Sequence, residues 1–452
     1  MNANIFKAYD IRGIYPAEIN EADIYNIAKA YCDFLKPAEL VVGSDIRLSS
    51  PALKRAAIKA ITDQGVGVID IGEISTDMLY FAVAHYGYAG GFSVTASHNP
   101  KEYNGMKFVR EESRPVSSDT GLYAIRDMAI KMDDPSEQLD GEINSSLIEQ
   151  KNIYGDYIEK VRTFADFTQF KKFKIVANPN FGMAGKTAEK LLSGSGIEII
   201  KLNFDPDGNF PKGRPDPLIP ENREEISRLV VASGADLGVA WDADADRCFF
   251  FTEKGEFIEG YFITALLAKI FLAKTKGTII HDTRLIWAID DIVSEAGGTA
   301  IASKAGHSFI KERMKKEQAI FGGEMSAHYY FGDYFFCDNG MIPLAMVLEF
   351  LSKEKRPFSE IMNEMFWNKY YVSGEINTEV KDVHALIEKA QEVYGKDALK
   401  SDTIDGVSIE FSQWRFNLRG SNTEPLIRLN VEARSKELME EKRDELLAMI
   451  RG

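Results

Sequence analysis

Cysteine is scarce in this chain: only Cys32, Cys248 and Cys337 occur in 452 residues. An odd number of widely separated cysteines provides no disulfide framework, and a protein without disulfides fits a reducing compartment, so we expect a cytoplasmic location. No apolar run approaches the roughly 18 residues that span a bilayer, and residues 1–7 lack the apolar core of a secretory signal peptide. The sequence therefore predicts neither a secreted disulfide-rich domain nor a membrane partner.

Basic residues are also in short supply. The 54 lysines and arginines are outnumbered by 69 aspartates and glutamates, which leaves a formal net charge of −15. Binding to nucleic acid or to an acidic membrane surface needs a basic face, so we expect neither partner. A few arginines concentrated in a cleft can still bind a phosphorylated small molecule on an acidic protein.

The length and an internal pattern predict several α/β domains. At about 100–200 residues per domain, 452 residues make three or four. Three segments, centred on Gly65, Gly196 and Gly297, each read as a helix end, a glycine that stops the helix and a β-branched strand. The last part differs, because residues 404–419 alternate as two antiparallel strands do, before a final helix over 436–450.

A polar loop follows a short β-branched stretch near residue 97. An asparagine–proline pair ends the run Ser93–Pro100 and blocks a helix, because a residue before proline is pushed out of the αR region. A serine in such a loop, with His98 beside it and Lys107 a little further on, is typical of a nucleophile with helper groups. We predict that Ser97 is the nucleophile. A loop serine that only satisfies backbone groups is the alternative that these residues leave open.

Three aspartates with a spacing of two residues follow a predicted buried strand: Asp242, Asp244 and Asp246 come directly after the apolar run Leu237–Trp241. Hard carboxylate oxygens on one short loop suit Mg²⁺, and without a cation these carboxylates would repel one another. An EF-hand is disfavoured, because Arg247 stands where that loop needs glycine. An aspartyl-phosphate phosphatase, which would leave the serine without a role, and a solvated acidic turn are the open alternatives.

Two further polar loops contain glycine. Gly322–His328 places an acid, Glu324, near a hydroxyl and an imidazole, which are groups that hydrogen-bond sugar hydroxyls. Arg419–Pro425, with Arg428 beyond it, offers guanidinium forks and consecutive hydroxyl and amide donors, which a phosphate dianion needs. Each loop, taken alone, is also compatible with an ordinary polar turn.

The four loops together supply a nucleophile, a metal site, a hydroxyl-binding loop and a phosphate clamp, which phosphoryl transfer on a phosphosugar requires. From Ala8–Gly13 to Arg419–Pro425 the sequence resembles the α-D-phosphohexomutase superfamily, and most of all its bacterial phosphomannomutases. The resemblance implies an α/β fold with four domains around a central cleft: three related α/β domains and a C-terminal α+β domain. We predict the domains at residues 1–148, 149–250, 251–363 and 364–452.

The resemblance also implies roles for individual residues. Ser97 would carry a phosphoryl group in the active enzyme, and one Mg²⁺ would be bound by a phosphoserine oxygen, Asp242, Asp244 and Asp246. The predicted catalytic residues are Ser97, His98, Lys107, Arg247 and His328, with Lys107 or His328 as the general base. The predicted substrate-binding residues are Tyr9, Arg12, Lys304, His307, Glu324, Ser326, Arg419, Ser421, Asn422, Thr423 and Arg428.

The implied activity interconverts mannose 6-phosphate and mannose 1-phosphate through a hexose 1,6-bisphosphate, which is also the activator. A phosphoglucomutase or a dual-specificity mutase is the alternative, although Met325 resembles the mannose and glucose enzymes rather than the glucosamine enzymes. From a different class, a metal-dependent phosphosugar phosphatase or a non-catalytic phosphosugar-binding protein stays open. We expect a monomer or a dimer that acts on a phosphohexose, with a product that feeds GDP-mannose synthesis.

One residue departs from the family pattern. The family's metal loop usually has glycine between its first two aspartates, and this chain has Ala243. If that position has a positive φ, alanine costs roughly 1 kcal/mol there. We therefore expect a loop that still binds metal, with slightly altered geometry.

Overall fold

The computed structural model describes residues 1–420 and 426–451. The chain forms two compact units. The first unit is Met1–Phe257 with Asp333–Lys355, and the second is Ile258–Gly332 with Arg356–Gly452.

The first sheet lies in the first unit. Its strands are β1 (Ile11–Ile14), β2 (Glu39–Ser44), β3 (Gly67–Glu73), β4 (Gly90–Val94), β5 (Tyr103–Arg110), β6 (Arg114–Pro115) and β7 (Ile148–Gln150), and the helices around it are α1 (Glu21–Leu35), α2 (Ser50–Asp63), α3 (Thr76–Tyr86), α4 (Tyr123–Ala129) and α5 (Ser136–Leu139). The strand order is β1-β5-β4-β2-β3-β7, with β6 beside β5. Strands β4, β2, β3 and β7 run parallel, whereas β5 is antiparallel to β1 and β4.

Apolar packing determines where the central strands of this sheet lie. Val42, Phe92 and Val94 are completely buried in one core cluster. A Cβ at Gly91 would lie 2.5 Å from the Val41 carbonyl oxygen, so β2 and β4 approach each other closely only with glycine there. Since Val94 is the last residue of β4, this packing determines where the loop that carries Ser97 begins.

The second sheet also belongs to the first unit. It contains β8 (Lys174–Asn178), β9 (Glu198–Lys201), β10 (Leu237–Trp241), β11 (Cys248–Phe251) and β12 (Phe257–Ile258), with helices α6 (Tyr154–Arg162), α7 (Ala184–Leu192) and α8 (Glu224–Ser233). The order is β12-β11-β10-β8-β9. Strand β10 is buried along its whole length, parallel to β8 and antiparallel to β11. The predicted strand before the three aspartates is confirmed.

The third sheet organises the second unit. It contains β13 (Thr278–Asp282), β14 (Thr299–Ser303), β15 (Phe321–Gly323) and β16 (Tyr329–Phe331), with helices α9 (Gly260–Lys274), α10 (Trp287–Glu295) and α11 (His307–Glu317). Because β14, β13 and β15 are parallel neighbours, the loops after their carboxyl ends meet at one edge of the sheet. The chain then returns to the first unit in β17 (Cys337–Asp338) and α12 (Met341–Lys353), which packs against α6 and α7.

The fourth sheet closes the second unit. Its strands are β18 (Tyr371–Val372), β19 (Ile376–Glu379), β20 (Lys400–Asp402), β21 (Val407–Glu410), β22 (Trp414–Gly420) and β23 (Leu426–Ala433), accompanied by helices α13 (Phe358–Met362), α14 (Val383–Tyr394) and α15 (Lys436–Arg451). All its pairings are antiparallel, in the order β18-β23-β22-β21-β20 with β19 beside β23. The two predicted strands and the final helix are confirmed, although the first strand begins three residues later, at Val407.

The three glycine-terminated segments are confirmed as α/β units. Gly65 after α2, Gly194 and Gly196 after α7 and Gly297 after α10 all have positive φ, and each segment continues into a strand, β3, β9 or β14. Three α/β sheets followed by one antiparallel sheet confirm the predicted fold class. Across residues 1–420 and 426–451, no helix has the length and the apolar composition to cross a membrane.

Candidate active site

Ser97 lies buried in the loop between β4 and β5. Its backbone is left-handed, with a φ of 50°, a conformation that costs a residue with a Cβ about 1 kcal/mol or more. The Ser97 amide donates to the Thr95 hydroxyl at 2.9 Å. Backbone strain of this kind persists only where the surroundings hold it, and it concentrates at functional sites. The conformation therefore supports Ser97 as the nucleophile.

The Ser97 hydroxyl has two neighbours. Its Oγ lies 3.0 Å from His98 Nδ1 and donates to Asp242 Oδ2 at 3.3 Å. Burial, followed by the guanidinium groups of Arg247 and Arg12, lowers the pKa of His98 well below its ordinary value. His98 is thus a neutral imidazole near neutral pH, which agrees with a role in orienting the hydroxyl or a phosphoryl group.

The three predicted aspartates lie together at the end of β10. Asp242, Asp244 and Asp246 are at most 1% exposed, and each brings a carboxylate oxygen within 4.8 Å of the others. One Asp244 oxygen accepts from Thr76 at 2.5 Å, whereas Oδ1 is buried without a hydrogen-bond partner among the described residues. A buried carboxylate oxygen that lacks a donor fits a cation ligand. The cluster therefore fits a divalent metal ion.

Two cationic side chains compensate part of this negative charge. The Lys107 ammonium donates to Asp244 and Asp246, both at 2.7 Å. Burial alone would lower the pKa of Lys107, but Asp244 and Asp246 outweigh it and raise the pKa above its ordinary value. Arg247 lies on the other side, with Nε 3.6 Å from Asp242 Oδ2. Each of the three buried carboxylates therefore has a cationic side chain beside it.

The metal loop stores its strain at a different residue from the one we expected. Ala245, not Ala243, is the left-handed alanine, with a φ of 57°. Ala243 is buried, and its carbonyl accepts from the Met183 amide at 2.8 Å. A Cβ at Gly182 would lie 2.5 Å from Ala243 Cα, so the two backbones pack directly together. The expected cost of alanine at position 243 therefore does not arise.

Two predicted substrate residues lie on the first strand. Tyr9 precedes β1 and is half-buried. Arg12 is on β1, and its guanidinium donates to Asp10 at 2.7 Å and to the Asn99 side chain in the serine loop. The structure therefore brings Arg12, a predicted substrate-binding residue, to the loop that carries Ser97.

Arg214 and Asp216 also reach this loop, although we did not predict them. Arg214 Nε donates to the His98 carbonyl at 3.1 Å, and Asp216 lies 3.9 Å from His98 Nε2. Asp216 also lies 3.9 Å from the Arg247 guanidinium. Both residues come from a proline-rich charged segment, and that composition was the available signal.

In the second unit, Glu324 lies at the centre of the contacts in the predicted sugar-binding loop. Its carboxylate accepts from the Gly306 amide at 2.8 Å and from the Tyr330 hydroxyl at 2.5 Å. His328 Nδ1 lies 3.4 Å from Glu324 and 3.2 Å from the Ser326 hydroxyl. Burial alone would raise the pKa of Glu324, but His328 and Arg284 outweigh it and lower the pKa below its ordinary value. Glu324 is therefore a carboxylate.

Lys304 and His307 lie in the neighbouring loop. Lys304 follows β14, with its ammonium 4.9 Å from the centre of the Phe309 ring, and His307 begins α11. The Gly306 amide between them bonds to Glu324. The structure thus joins this loop to the sugar-binding loop.

The described part of the phosphate clamp contains three arginines around one acid. Arg419 on β22 faces Arg428 on β23, and they bind Glu375 at 3.1 and 3.0 Å. Arg284, after β13, lies 3.5 Å from the same carboxylate. Burial alone would raise the pKa of Glu375, but the three arginines lower it to about 2. Ser421, Asn422 and Thr423 lie outside the described residues.

Arg284 and Glu375 had not been predicted. Arg284 also binds Asp282 at 2.7 Å and lies 3.7 Å from Glu324, so it connects the sugar-binding loop with the clamp. Each residue is isolated in sequence from the motif that it contacts, so no local pattern signals it.

Family profiles identify the chain. It belongs to the phosphoglucomutase/phosphomannomutase family, whose alpha/beta/alpha domains I, II and III and C-terminal domain match residues 3–133, 154–255, 259–370 and 375–449. The protein is therefore a phosphohexomutase, an isomerase.

Similar proteins carry more particular names. The phosphomannomutase of Escherichia coli strain K12 is 45% identical over 452 residues, covering 98% of each chain. A protein of Xanthomonas campestris pv. campestris named "Phosphohexose mutases" is 44% identical and covers 100% of each chain. The solved structure of a phosphoglucomutase/phosphomannomutase family protein from Burkholderia thailandensis matches with a TM-score of 0.88 and 29% identity, over 100% of this chain and 98% of that one.

Proposed function

We propose that this mutase interconverts mannose 6-phosphate and mannose 1-phosphate, with Ser97 as the phosphoryl carrier. The observation that carries the proposal is the Ser97 hydroxyl, held 3.3 Å from Asp242 in a cluster of three buried carboxylates. Phosphomannomutases of about this chain's full length, such as that of E. coli, are 45% identical to it, which supports mannose phosphate as the substrate.

A magnesium ion fits the carboxylate cluster. Asp242, Asp244 and Asp246 would hold it together with an oxygen on Ser97, and Asp244 Oδ1, which has no hydrogen-bond partner among the described residues, would supply a ligand atom. When bound, the ion would neutralise charge on the transferring phosphoryl group. A phosphoserine carries a charge of about −2, so a cation between it and the aspartates is electrostatically required.

The reaction proceeds in two transfers. Phosphoserine 97 gives its phosphoryl group to the free hydroxyl of the hexose monophosphate, and that hydroxyl loses its proton to a base. The Ser97–phosphorus bond breaks in this step, and the Ser97 oxygen takes up a proton. The resulting hexose 1,6-bisphosphate turns over; the Ser97 hydroxyl then loses its proton to the base and accepts the other phosphoryl group, while the sugar oxygen released from that group takes up a proton. The bisphosphate is also the activator, because it restores phosphoserine in a dephosphorylated chain. Of the two predicted bases, His328 is favoured, since two carboxylates hold Lys107 as an ammonium ion.

The other predicted residues bind the substrate. Arg12, Lys107 and Arg247 would neutralise the phosphoryl group that is being transferred. Glu324 and Ser326 would bind hydroxyls of the sugar, with Lys304, His307 and Tyr9 as further contacts. Arg419 and Arg428, together with Ser421, Asn422 and Thr423, would bind the phosphate that does not react.

The finer predictions from sequence belong to the same proposal. These are a mannose preference over glucose, a monomer or dimer, and domain boundaries at 148/149, 250/251 and 363/364. The binding loop that contains Met325 tolerates both C2 epimers in this proposal, so glucose 1-phosphate would be a second substrate.

Ser97→Ala tests the carrier. It removes the only atom that accepts the phosphoryl group, so we expect no mutase turnover in coupled assays with mannose 1-phosphate or glucose 1-phosphate, with or without added bisphosphate. Intact mass should show one phosphate on the parent protein and none on Ser97→Ala. The matched control is Ser93→Ala, because Ser93 is an equally buried serine on the adjoining strand; it should keep parental activity.

The same assays separate the alternatives. A phosphosugar phosphatase would release inorganic phosphate, and a binding protein would show a substrate-dependent rise in melting temperature without turnover. Substantial mutase activity in Ser97→Ala would contradict the proposed carrier.

A further inference from the structure

Arg47 belongs to none of the recognised motifs, yet its side chain is completely buried beside the nucleophile loop. It lies between β2 and α2. Its guanidinium donates to four carbonyl oxygens of that loop: those of Ser97 at 2.6 Å, Asn99 at 2.7 Å, Pro100 at 2.7 Å and Tyr103 at 3.0 Å. With Nε bound to Asp45 at 3.2 Å, all five N–H groups have a partner.

Asp45 holds the other side of the loop. Its Oδ2, which accepts from Arg47, also accepts from the Thr95 hydroxyl at 2.7 Å. The Thr95 oxygen in turn accepts from the Ser97 amide at 2.9 Å. The left-handed backbone of Ser97 is therefore fixed through its amide and its carbonyl by one connected network.

The segment that contains Gly208 and Phe210 covers this network and shields it from solvent. The Phe210 ring lies over the Arg47 guanidinium, 5.1 Å from its centre. A Cβ at Gly208 would collide with the Ile46 carbonyl oxygen, so that segment packs directly on the backbone that carries Arg47. Hydrogen bonds to an ion strengthen when water is excluded, which gives the network the rigidity that a strained loop needs.

We propose that Arg47 is the positioning residue of the nucleophile: it holds the strained 97–103 loop so that the Ser97 oxygen points at the transferring phosphoryl group. The inference rests on the proposed role of Ser97. Only arginine has a planar fork with five donors in fixed directions, so lysine at this position can satisfy part of the loop but not all of it. Among the described residues, the hydrogen bonds of the Arg47 guanidinium go to Asp45 and to main-chain carbonyls of the loop.

The test compares Arg47→Met, Arg47→Lys and the surface control Arg55→Met, an exposed arginine of α2. A misplacement of the reacting group by about 1 Å costs about 100-fold in rate, so we expect kcat of Arg47→Met to fall by about that factor. Arg47→Lys should lie between Arg47→Met and the parent. The dissociation constant for mannose 1-phosphate, measured by calorimetry, should stay at its parental value in all three, and Arg55→Met should match the parent in both readings.

Two results would overturn the inference. One is parental kcat in folded Arg47→Met, or in Arg47→Lys if the methionine variant does not fold. The other is a loss of kcat with an equal loss of phosphosugar binding, which marks general loss of structure. Ser97→Ala, assayed alongside, separates the two proposals: turnover in Ser97→Ala contradicts the carrier, whereas an inactive Ser97→Ala beside a fully active Arg47→Met contradicts only the positioning role.

Discussion

The carboxylate cluster of the first unit and the arginine clamp of the second have opposite charge patterns. In the first, Asp242, Asp244 and Asp246 are buried together, and one Asp244 oxygen has no donor among the described residues. In the second, three guanidinium groups surround the single carboxylate of Glu375. The difference supports our proposal that the first site binds a cation and the second an anion.

The two sites share a device for holding their loops. Arg47 bonds to main-chain carbonyls of the serine loop, and buried Arg415 bonds to the carbonyls of Thr283 and Arg284 at 2.9 and 2.8 Å. Each arginine holds the backbone beside a residue to which we assign a role, Ser97 in phosphoryl transfer and Arg284 in the clamp. A buried guanidinium therefore holds the backbone both beside a negatively charged site and beside a positively charged one.

The largest effect should come from removing a carboxylate from the cation site. Asp244→Asn removes one charge, and because the amide oxygen is needed to accept from Thr76 and Lys107, its NH2 group takes the place of Oδ1; we therefore expect mutase activity to fall by at least about 100-fold. The concentration of Mg²⁺ that gives half-maximal activity should rise. Calorimetry with mannose 1-phosphate should show parental binding, because the clamp is untouched.

The control for this substitution is Asp205→Asn, an exposed aspartate of the first unit, which should keep parental activity and Mg²⁺ dependence. Parental Mg²⁺ dependence in Asp244→Asn would mean that the carboxylate cluster is not a cation site, and the contrast between the two sites would disappear.

What the sequence could predict depended on local pattern. Asp242 follows a contiguous apolar strand, and an asparagine–proline pair marks the end of the loop that carries Ser97, so both positions were predictable. Arg47 and Glu375 were not, because each is a single charged residue whose partners come from distant loops. Only the sheet pairing that brings these loops together reveals such contacts.

The same distinction holds for backbone strain. The sequence singled out position 243 because its residue type departs from a family pattern, whereas the left-handed residue is Ala245. A φ value depends on how the turn packs against its neighbours, and the close packing of Gly182 on Ala243 is a contact between segments that are distant in sequence. Residue identity alone does not show this.

An intermediate effect is expected when the clamp loses its carboxylate. Glu375→Gln leaves three arginines without their shared partner, so the protein should unfold more easily and bind inorganic phosphate more tightly. The pKa of Glu375 is lowered from 4.5 to about 2, so its contribution to stability is full above pH 4.5 and disappears as the pH falls to about 2. The shift corresponds to about 3 kcal/mol.

Urea unfolding at several pH values measures this contribution. The parent should exceed Glu375→Gln in unfolding free energy near neutral pH, and the gap should close as the pH falls below 4.5. Glu379→Gln is the matched control, since Glu379 is an exposed acid on the adjoining strand β19. A gap that does not change with pH would mean that the arginines do not hold Glu375 as an ion.

The smallest effect concerns backbone strain that the metal loop of the first unit shares with the sugar-binding loop of the second. Ala245 in the metal loop and Ala327 in the sugar-binding loop are buried and left-handed, with φ of 57° and 65°. Glycine relieves about 1–2 kcal/mol of strain at such a residue, which offsets about 0.5–1 kcal/mol of added chain entropy and about 0.8 kcal/mol of lost methyl burial. Ala245→Gly and Ala327→Gly should therefore change the unfolding free energy by less than about 1 kcal/mol.

Ala243→Gly is the control for these two substitutions. Ala243 is equally buried but not left-handed, so glycine there has the same two costs without relief, and we expect a loss of about 1.5 kcal/mol. Parallel urea unfolding of the three variants measures the difference. Equal losses in all three would show that the left-handed residues store no strain, whereas a smaller loss at Ala245 and Ala327 would show that the metal loop and the sugar-binding loop each contain a strained backbone.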